Sequence, residues 1–487
     1  MSQTRTEQAA GGTLAARRLA VLLQPTAAVD RPAYQHLAAT IQTLILEGRI
    51  ALHARMPPER ELAPALQMSR TTVSAAYGLL RDSGYLHSRR GAGTWTALPG
   101  PAGDSRLLPP PDTSIDLTTA AFGLPQHALS QAFAQTAPRL AEFARTPGYY
   151  PFGLAELRAA VAERYTRRGL PTRIDQILIT SGAQQALTLT LGLLCGPGDR
   201  VLVENPSYPN ALDAIRRARL RTAPVPVTGT GWNLDVLDST LRQVVPRLAY
   251  LIPDFHNPVG CLMPAEQRAH ALDATRRSGT WLVVDETLTD LALDAAVSPP
   301  LASLAAPGQD DHVITIGSLS KSHWAGLRIG WLRASPSLVA ELAGVRVSMD
   351  VAGSVVDQLL AVSLLQSTDG WLATRLGQVR EQRTALAEAL GRYTPQWTWR
   401  QPTGGLALWV DLGQPIASAL ADRSVEHGVR IESGARFGAE PGTFEHRLRI
   451  PYALPPDTLH EAVRRLAATL DNGAVLTAAG ARPHWVA

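Results

Sequence analysis

The chain has 487 residues, 45% of them hydrophobic and 18% charged, which suits a globular protein of more than one domain with a sizeable core. No apolar run is long enough to cross a membrane, and no signal-peptide core follows Met1. Two cysteines cannot build a disulfide framework. We therefore expect a cytoplasmic protein without a membrane partner. The net charge of +4 is uneven, because residues 1–100 contain eleven Arg and six acidic residues, a surplus of +5 that leaves about −1 for the remainder. A basic N-terminal region on a nearly neutral remainder indicates that the N-terminal region binds a polyanion.

Residues 33–96 have the pattern of a winged helix-turn-helix. Residues 33–47 carry apolar side chains at a helical period. Prolines followed by acidic residues at 56–61 predict the start of a second helix. Ser69 is a predicted N-cap for a third helix over 70–82, and residues 84–95 predict a β-hairpin with a glycine-rich tip.

This stretch resembles the DNA-binding domain of the GntR family, whose motif runs Pro-x-Glu-Arg-x-Leu-Ala, then Ser-Arg-x-Thr-Val, then a Gly-x-Gly wing. The resemblance implies a double-stranded DNA operator as partner. The residues expected to face DNA are Arg60, Arg70, Thr71, Thr72, Arg89, Arg90 and Gly91. The two threonines lie in the first turn of the third helix, which reaches base edges in the major groove, whereas Arg60 and Arg70 suit phosphate contacts and Arg70 could also read a guanine. Position 74 is Ser, where some family members carry an arginine that reads a base.

A Pro/Gly-rich stretch separates this part from the rest of the chain. We therefore divide the sequence into an N-terminal extension (1–32), the winged helix-turn-helix (33–96), a semi-extended linker (97–114) and an effector domain (115–487).

Beyond the linker, apolar strand-like runs alternate with amphipathic helices. The first pair is a strand at 177–180 and a helix at 184–194, and strand-like runs follow at 201–204, 248–253, 281–285 and 313–317. This alternation predicts an α/β fold with a mostly parallel sheet. Ligands of such sheets bind outside the strand ends, which is where the candidate site residues fall.

Lys321 is the only lysine of the chain. Arginine can replace most surface lysines, but it stays protonated and cannot attack a carbonyl. A sole lysine inside Ser318-Leu-Ser320-Lys321, followed by Gly-x-Arg328-x-Gly, therefore indicates a Schiff-base lysine that holds an aldehyde cofactor. We expect no metal site.

That run resembles the lysine segment of fold-type I aminotransferases. The resemblance implies pyridoxal 5'-phosphate as cofactor and a fold-type I aminotransferase-like domain with a smaller C-terminal α/β subdomain. Lys321 would bond the aldehyde, and Ser318, Ser320 and Arg328 would bind the phosphate. The resemblance further assigns the residues Gly182, Ala183 and Gln184 to the phosphate, Tyr208 to stacking on the pyridine ring, Asn257 to the ring oxygen and Asp285 to the pyridine nitrogen.

Two of these positions also carry a physical argument. Residues 181–184 follow a strand and open a helix, so their N–H groups can cradle a phosphate. Asp285 ends an apolar strand, where an unpaired carboxylate is costly, so we expect a cationic partner. The chain departs from the family after Asp285, because Thr287 and Leu288 stand where many members have a tyrosine bonded to the ring oxygen.

Two further assignments come from the resemblance and leave alternatives open. Tyr149, or else Tyr150, would reach the phosphate of a neighbouring subunit, which implies a homodimer, in a possible head-to-tail arrangement. Arg449, or else Arg447, would clamp the carboxylate of an amino ligand.

The combination resembles MocR-type transcriptional regulators over almost the whole chain. The resemblance implies that the winged helix binds an operator while the aminotransferase-like body senses the cofactor or an amino-acid or amine effector. The alternative is a working aminotransferase with an accessory DNA-binding module. Loss of the phenol after Asp285 favours the sensor, since it leaves the ring oxygen less well tuned for transamination.

Overall fold

The N-terminal unit consists of short helices and one hairpin. The computed structural model describes residues 14–23, 32–46, 50, 54–89, 93–97, 114–306 and 308–471. The elements of the N-terminal unit are α1 (Ala16–Leu22), α2 (Ala33–Leu46), α3 (Glu59–Ala65), α4 (Arg70–Asp82), β1 (Leu86–Arg89) and β2 (Gly93–Thr96). The predicted third helix and hairpin are confirmed, and the Ser69 side chain caps α4 by accepting from the Thr72 N–H at 3.0 Å. The hairpin tip at 90–92 and linker residues 98–113 lie outside the described residues.

A hydrophobic core of its own holds this unit together. Ile41 of α2 and Val73 and Tyr77 of α4 are buried in it. The Tyr77 hydroxyl donates to the Pro57 carbonyl at 2.9 Å and so fixes α4 against the start of α3. Helix α1, which the sequence analysis left inside the N-terminal extension, buries Leu19 in the same core.

The second part of the chain begins with the elements of a large sheet and its covering helices. They are β3 (Ile115–Asp116), α5 (Gln126–Phe143), α6 (Ala155–Arg167), β4 (Ile177–Thr180), α7 (Ala183–Leu194), β5 (Arg200–Asn205), α8 (Pro209–Arg217), β6 (Arg221–Thr228), β7 (Gly231–Trp232), α9 (Leu234–Val244), β8 (Leu248–Leu251), α10 (Ala265–Ser278), β9 (Trp281–Asp285), β10 (Val313–Ser318) and β11 (Gly330–Arg333).

Eight of these strands form one sheet in the order β4-β11-β10-β9-β8-β5-β6-β7. The run from β10 to β6 is parallel, while β11 lies antiparallel between β10 and β4. Separate clusters of buried apolar side chains pack on the two faces, which explains why the central strands read as continuous apolar runs. The predicted α/β fold with a mostly parallel sheet is confirmed.

The C-terminal subdomain is built on a smaller antiparallel sheet. Its elements and the helices that lead to it are α11 (Pro336–Val347), α12 (Val355–Gln366), α13 (Thr368–Tyr393), β12 (Thr398–Trp399), β13 (Ala407–Asp411), α14 (Ala417–Ser424), β14 (Val429–Arg430), β15 (Glu432–Ser433), β16 (Arg447–Pro451) and α15 (Pro456–Asp471). The strand order is β12-β13-β16-β15, and β3 joins the subdomain by pairing in parallel with β14. None of the helices within the described ranges is long and apolar enough to cross a membrane.

Candidate functional site

A single cleft at the carboxyl ends of the parallel strands collects most of the predicted site residues. The predicted residues that line it are Gly182, Ala183, Gln184, Tyr208, Asn257, Asp285, Ser318, Ser320, Lys321, Arg328 and Arg449. They come from turns far apart in the chain, and the parallel sheet brings them to one edge.

Lys321 lies directly after β10 in a widened helical turn, Ser320–Trp324. Its Nζ donates to the Ala120 carbonyl at 2.9 Å. Removal from water lowers the pKa of Lys321 to about 7, the charges of Arg449 and Arg328 act in the same direction, and Asp285 opposes them. A large fraction of this amine is therefore neutral, and nucleophilic, at neutral pH.

One end of the cleft is suited to a phosphate. Gly182 has φ +94° at the start of α7, and no side chain caps that helix, so its first N–H groups face the cleft. A Cβ at Gly182 would come within 3.0 Å of Arg328 Nη2. That guanidinium donates to the Ser181 carbonyl at 2.7 Å, and the Ser318 hydroxyl lies within 3.1 Å of the Ser320 hydroxyl. Helix N–H groups, two hydroxyls and one guanidinium together fit a phosphate dianion.

Another part of the cleft is suited to a protonated ring nitrogen. Asp285 is only 7% exposed, and burial raises the pKa of its carboxyl. The Tyr250 hydroxyl donates to its Oδ2 at 2.6 Å and the Thr287 N–H to its Oδ1 at 2.9 Å. The partners that the structure gives Asp285 are thus neutral donors, and not the cation expected from the sequence. Because these donors hold the carboxylate in place, Asp285 fits the pyridinium as its cation.

Tyr250 is a site residue that the sequence analysis missed. It lies inside the apolar strand β8 and lines the cleft. The available signal was a phenol in a buried strand, since a buried Tyr hydroxyl usually needs a hydrogen-bond partner.

Tyr208 also lines the cleft. The Tyr208 hydroxyl accepts from Asn210 at 2.8 Å, and burial raises its pKa to about 12. Asn257 lines the same cleft, as do Thr287 and Leu288, which stand where the resemblance would place a second phenol.

The carboxylate end contains Arg449 and not Arg447. Arg449, on β16, is 1% exposed and donates to the Thr118 carbonyl. Burial lowers the pKa of Arg449 to about 10. Arg447 is not among the residues that line the cleft, and it pairs with Asp411 at 2.9 Å. Of the two candidate arginines, Arg449 is therefore the one that lines the cleft.

Neither tyrosine candidate lines the cleft of its own chain. Tyr149 is 69% exposed, whereas Tyr150 packs edge-on against Phe143 at 5.8 Å between ring centres. An exposed Tyr149 can reach another subunit, but its predicted contact with a neighbour's phosphate stays a prediction.

Three of the predicted DNA-facing residues are exposed on the N-terminal unit, and Thr72 beside them is half-buried. Arg70 and Thr71 are exposed, and the side chain of Arg60 is 78% exposed. The hydroxyls of Thr71 and Thr72 each lie 2.7 Å from the Ser69 hydroxyl, so the N-cap holds both at the start of α4.

The wing is only partly described. Arg89 is the last residue of β1, whereas Arg90 and Gly91 lie outside the described residues. An exposed arginine that the sequence analysis missed, Arg55, forms a bridge with Trp95 of β2, and its side chain lies beside Gly93.

Comparison with known proteins agrees with both parts. Residues 113–466 match the family described as aminotransferase class I and II, and residues 33–95 match the bacterial regulatory proteins of the gntR family. The chain is 27% identical to the "Probable rhizopine catabolism regulatory protein MocR" of Rhizobium meliloti, over 90% of this chain and 93% of that protein. It is 29% identical to the "Uncharacterized HTH-type transcriptional regulator YisV" of Bacillus subtilis, over 80% of this chain and 85% of that protein.

A solved structure resembles the body. It is LysN, the alpha-aminoadipate aminotransferase of Thermus thermophilus, complexed with N-(5'-phosphopyridoxyl)-L-leucine. The TM-score is 0.68 at 32% identity, and the match covers 74% of this chain and 92% of that one. With a phosphate end, a ring end and one poised lysine, the cleft fits pyridoxal 5'-phosphate, which is the cofactor of this protein.

Proposed function

We propose that this chain, which belongs to the class I and II aminotransferase family, is a pyridoxal-phosphate-dependent bacterial transcriptional regulator. It joins a gntR-family domain to the aminotransferase-like body in the MocR-type architecture. The winged helix binds operator DNA, and the aminotransferase-like body senses the cofactor or an amino compound. The observation that carries this proposal is the presence in one chain of a helix whose first turn is exposed and a cleft that gathers most of the predicted cofactor-binding groups.

The effector in this proposal is an amino acid or an amine with a carboxylate. When bound, pyridoxal phosphate supplies an aldehyde that exchanges its lysine for a ligand amine, and an electron-withdrawing ring. The chain's own groups would do the recognition: Asp285 would hold the ring nitrogen, Arg328 the phosphate, and Arg449 a ligand carboxylate. Arg449 supports this role because it is a buried cation in the cleft.

We further propose a homodimer that works in the cytoplasm, where operator DNA is. The support is the exposed Tyr149 at the start of the body and the two-fold symmetry of many operators, which matches a pair of winged helices.

The second candidate is a working aminotransferase that carries a DNA-binding module. Its support is that Lys321, Asp285, Arg328 and Arg449 all line one cleft. Against it stands Leu288, which is 8% exposed and gives the ring oxygen no hydroxyl. The regulator is the better supported function.

Two measurements separate the candidates. The first tests whether ligands regulate DNA binding. It is an electrophoretic mobility shift assay with the DNA that flanks the protein's own gene, run with and without pyridoxal phosphate and a panel of amino acids. We expect a shifted complex whose affinity changes with cofactor or amino acid in the wild type and is insensitive to the amino acid in Arg449→Met.

Absorbance during mixing with the same amino acids tests turnover. A regulator binds the amino acid and changes the cofactor spectrum without steady release of keto acid. Sustained keto-acid production at roughly 1 per second or faster, together with DNA binding that ignores every ligand, would overturn the regulator.

A further inference from the structure

A buried glutamate lies beside the arginine at the carboxylate end of the cleft. Glu432 of β15 is paired directly with Arg449 of β16 in an antiparallel register. Directly opposed residues of such a pair put their side chains on the same face, with Cβ atoms about 4.5–5.5 Å apart. Glu432 is 2% exposed, and its Oε2 has no hydrogen-bond partner among the described residues. Arg449 likewise keeps an unbonded Nε within that part of the chain.

The other charges around Glu432 come from three separate elements. Arg436 follows β15 and pairs with Asp213 at 2.7 Å. Arg430 ends β14, and Asp116 of β3 accepts from the Thr118 N–H at 2.8 Å.

These charges do not offset the removal of Glu432 from water. Burial raises the pKa of Glu432 to about 8, although Arg436, Arg449 and Arg430 all act to lower it and Asp116 adds to the rise. At neutral pH the carboxyl is therefore mostly protonated, and Arg449 keeps its positive charge available to a ligand.

We propose that Glu432 acts on ligand binding through the neighbouring guanidinium of Arg449: it takes up a proton as a ligand carboxylate arrives, so that the site prefers carboxylate-bearing amines at neutral rather than alkaline pH. The proposal rests on the proposed function, because it takes Arg449 as the group that meets the ligand carboxylate.

The physical reason is that one guanidinium then faces two carboxyl groups. A second anion beside a buried acid disfavours ionisation of that acid. In the free protein Glu432 loses its proton as the pH rises through about 8, and in the complex it keeps the proton to higher pH. Affinity for the carboxylate is thus fully present below pH 8 and is lost as the pH rises above it. Linkage gives a loss of about tenfold between pH 7 and pH 9, and an uptake of about half a proton at pH 8.

The test uses titration calorimetry on cofactor-free protein with two probes. N-(5'-phosphopyridoxyl)-L-leucine carries the ring, the phosphate and a carboxylate, and pyridoxamine 5'-phosphate carries only the first two. Titrations at pH 7, 8 and 9, in buffers of different ionisation enthalpy, give affinities and the number of protons taken up.

Glu432→Gln is the test variant. Glu445→Gln is the matched control, because Glu445 is also a buried acid of raised pKa but is bonded to Ser418 and has no arginine among the groups that shift it.

For the wild type and Glu445→Gln we expect the affinity for the conjugate to fall about tenfold from pH 7 to pH 9, relative to pyridoxamine phosphate. Glu432→Gln should bind pyridoxamine phosphate like the wild type and lose this relative pH dependence. An equal pH dependence in Glu432→Gln and the wild type would overturn the role of Glu432. The role of Glu432 would also be overturned if the wild type took up the same number of protons at pH 8 with both probes. That measurement needs no variant to fold.

A third arm separates this inference from the proposed function. Arg449→Met should remove the advantage of the conjugate over pyridoxamine phosphate at every pH. If the wild type itself shows no such advantage, carboxylate recognition at Arg449 fails, and the role of Glu432 fails with it. If the advantage is present and depends on Arg449 but its pH profile ignores Glu432, only the inference about Glu432 is overturned.

Discussion

The reactivity of Lys321 can be measured without any effector, because no other side-chain lysine competes for an amine reagent. Cofactor-free protein is treated with trinitrobenzenesulfonate from pH 5 to pH 10, and the modified peptides are separated so that the N-terminal amine is counted apart. Since the pKa of Lys321 is lowered to about 7, the rate should rise with a midpoint near pH 7. A lysine with the ordinary pKa of 10.5 would be neutral roughly 1500-fold less often at pH 7, so the difference lies far outside experimental error.

Two variants test the causes of this shift. Arg449 disfavours the ammonium form of Lys321 and Asp285 favours it. Arg449→Met should therefore raise the midpoint and Asp285→Asn should lower it, each by on the order of one pH unit. A wild-type midpoint near pH 10, or a shift in the same direction for both variants, would refute the reasoning.

The remaining predictions address the DNA-binding surface and the ring end of the cleft. Arg70→Ala should weaken operator binding and lower the slope of log affinity against log salt concentration by about one unit, while the cofactor spectrum stays unchanged. Arg167 is an exposed arginine of the body, so Arg167→Ala is the matched control and should change neither the operator affinity nor the salt slope. An unchanged affinity of Arg70→Ala at several salt concentrations would contradict the proposed docking. Tyr250→Phe removes a donor from the Asp285 carboxylate, which costs about 1.5–3 kcal/mol, so affinity for pyridoxamine 5'-phosphate should fall roughly tenfold or more in a direct titration. Equal affinity in the variant and the wild type would mean that Asp285 does not face the ring.

Local signals in the sequence predicted the helices and strands well. The helix over 70–82 and the strands at 177–180 and 281–285 agree with the structure residue for residue. Each is defined by a nearby signal: a serine N-cap for the first, and an apolar run that ends at a polar residue for the other two. Helix α1 was missed because its apolar patch is too short to show a period, and it is held in place by the core that it joins.

Contacts between distant segments could not be predicted in the same way. The sequence places Asp285 at a strand end, but it does not show that Tyr250 lies on the neighbouring strand at a distance to donate to it. The pairing of Glu432 with Arg449 likewise depends on the register of two short strands joined by an irregular turn. The motifs therefore predicted which residues line the cleft, while the groups that hold them in place appeared only in the structure.

The first residues after the linker are themselves bound by the cleft. The segment 115–120 gives the Thr118 carbonyl to Arg449 and the Ala120 carbonyl to Lys321. An amino ligand that needs these two donors competes with a piece of the chain that is tethered to the winged helix. Where ligand binding changes operator affinity by some factor, the coupling is reciprocal, and binding to the operator changes ligand affinity by the same factor. The ligand concentration at which such a regulator responds is therefore set partly by the DNA, so copies on an operator and copies free in the cell have different thresholds.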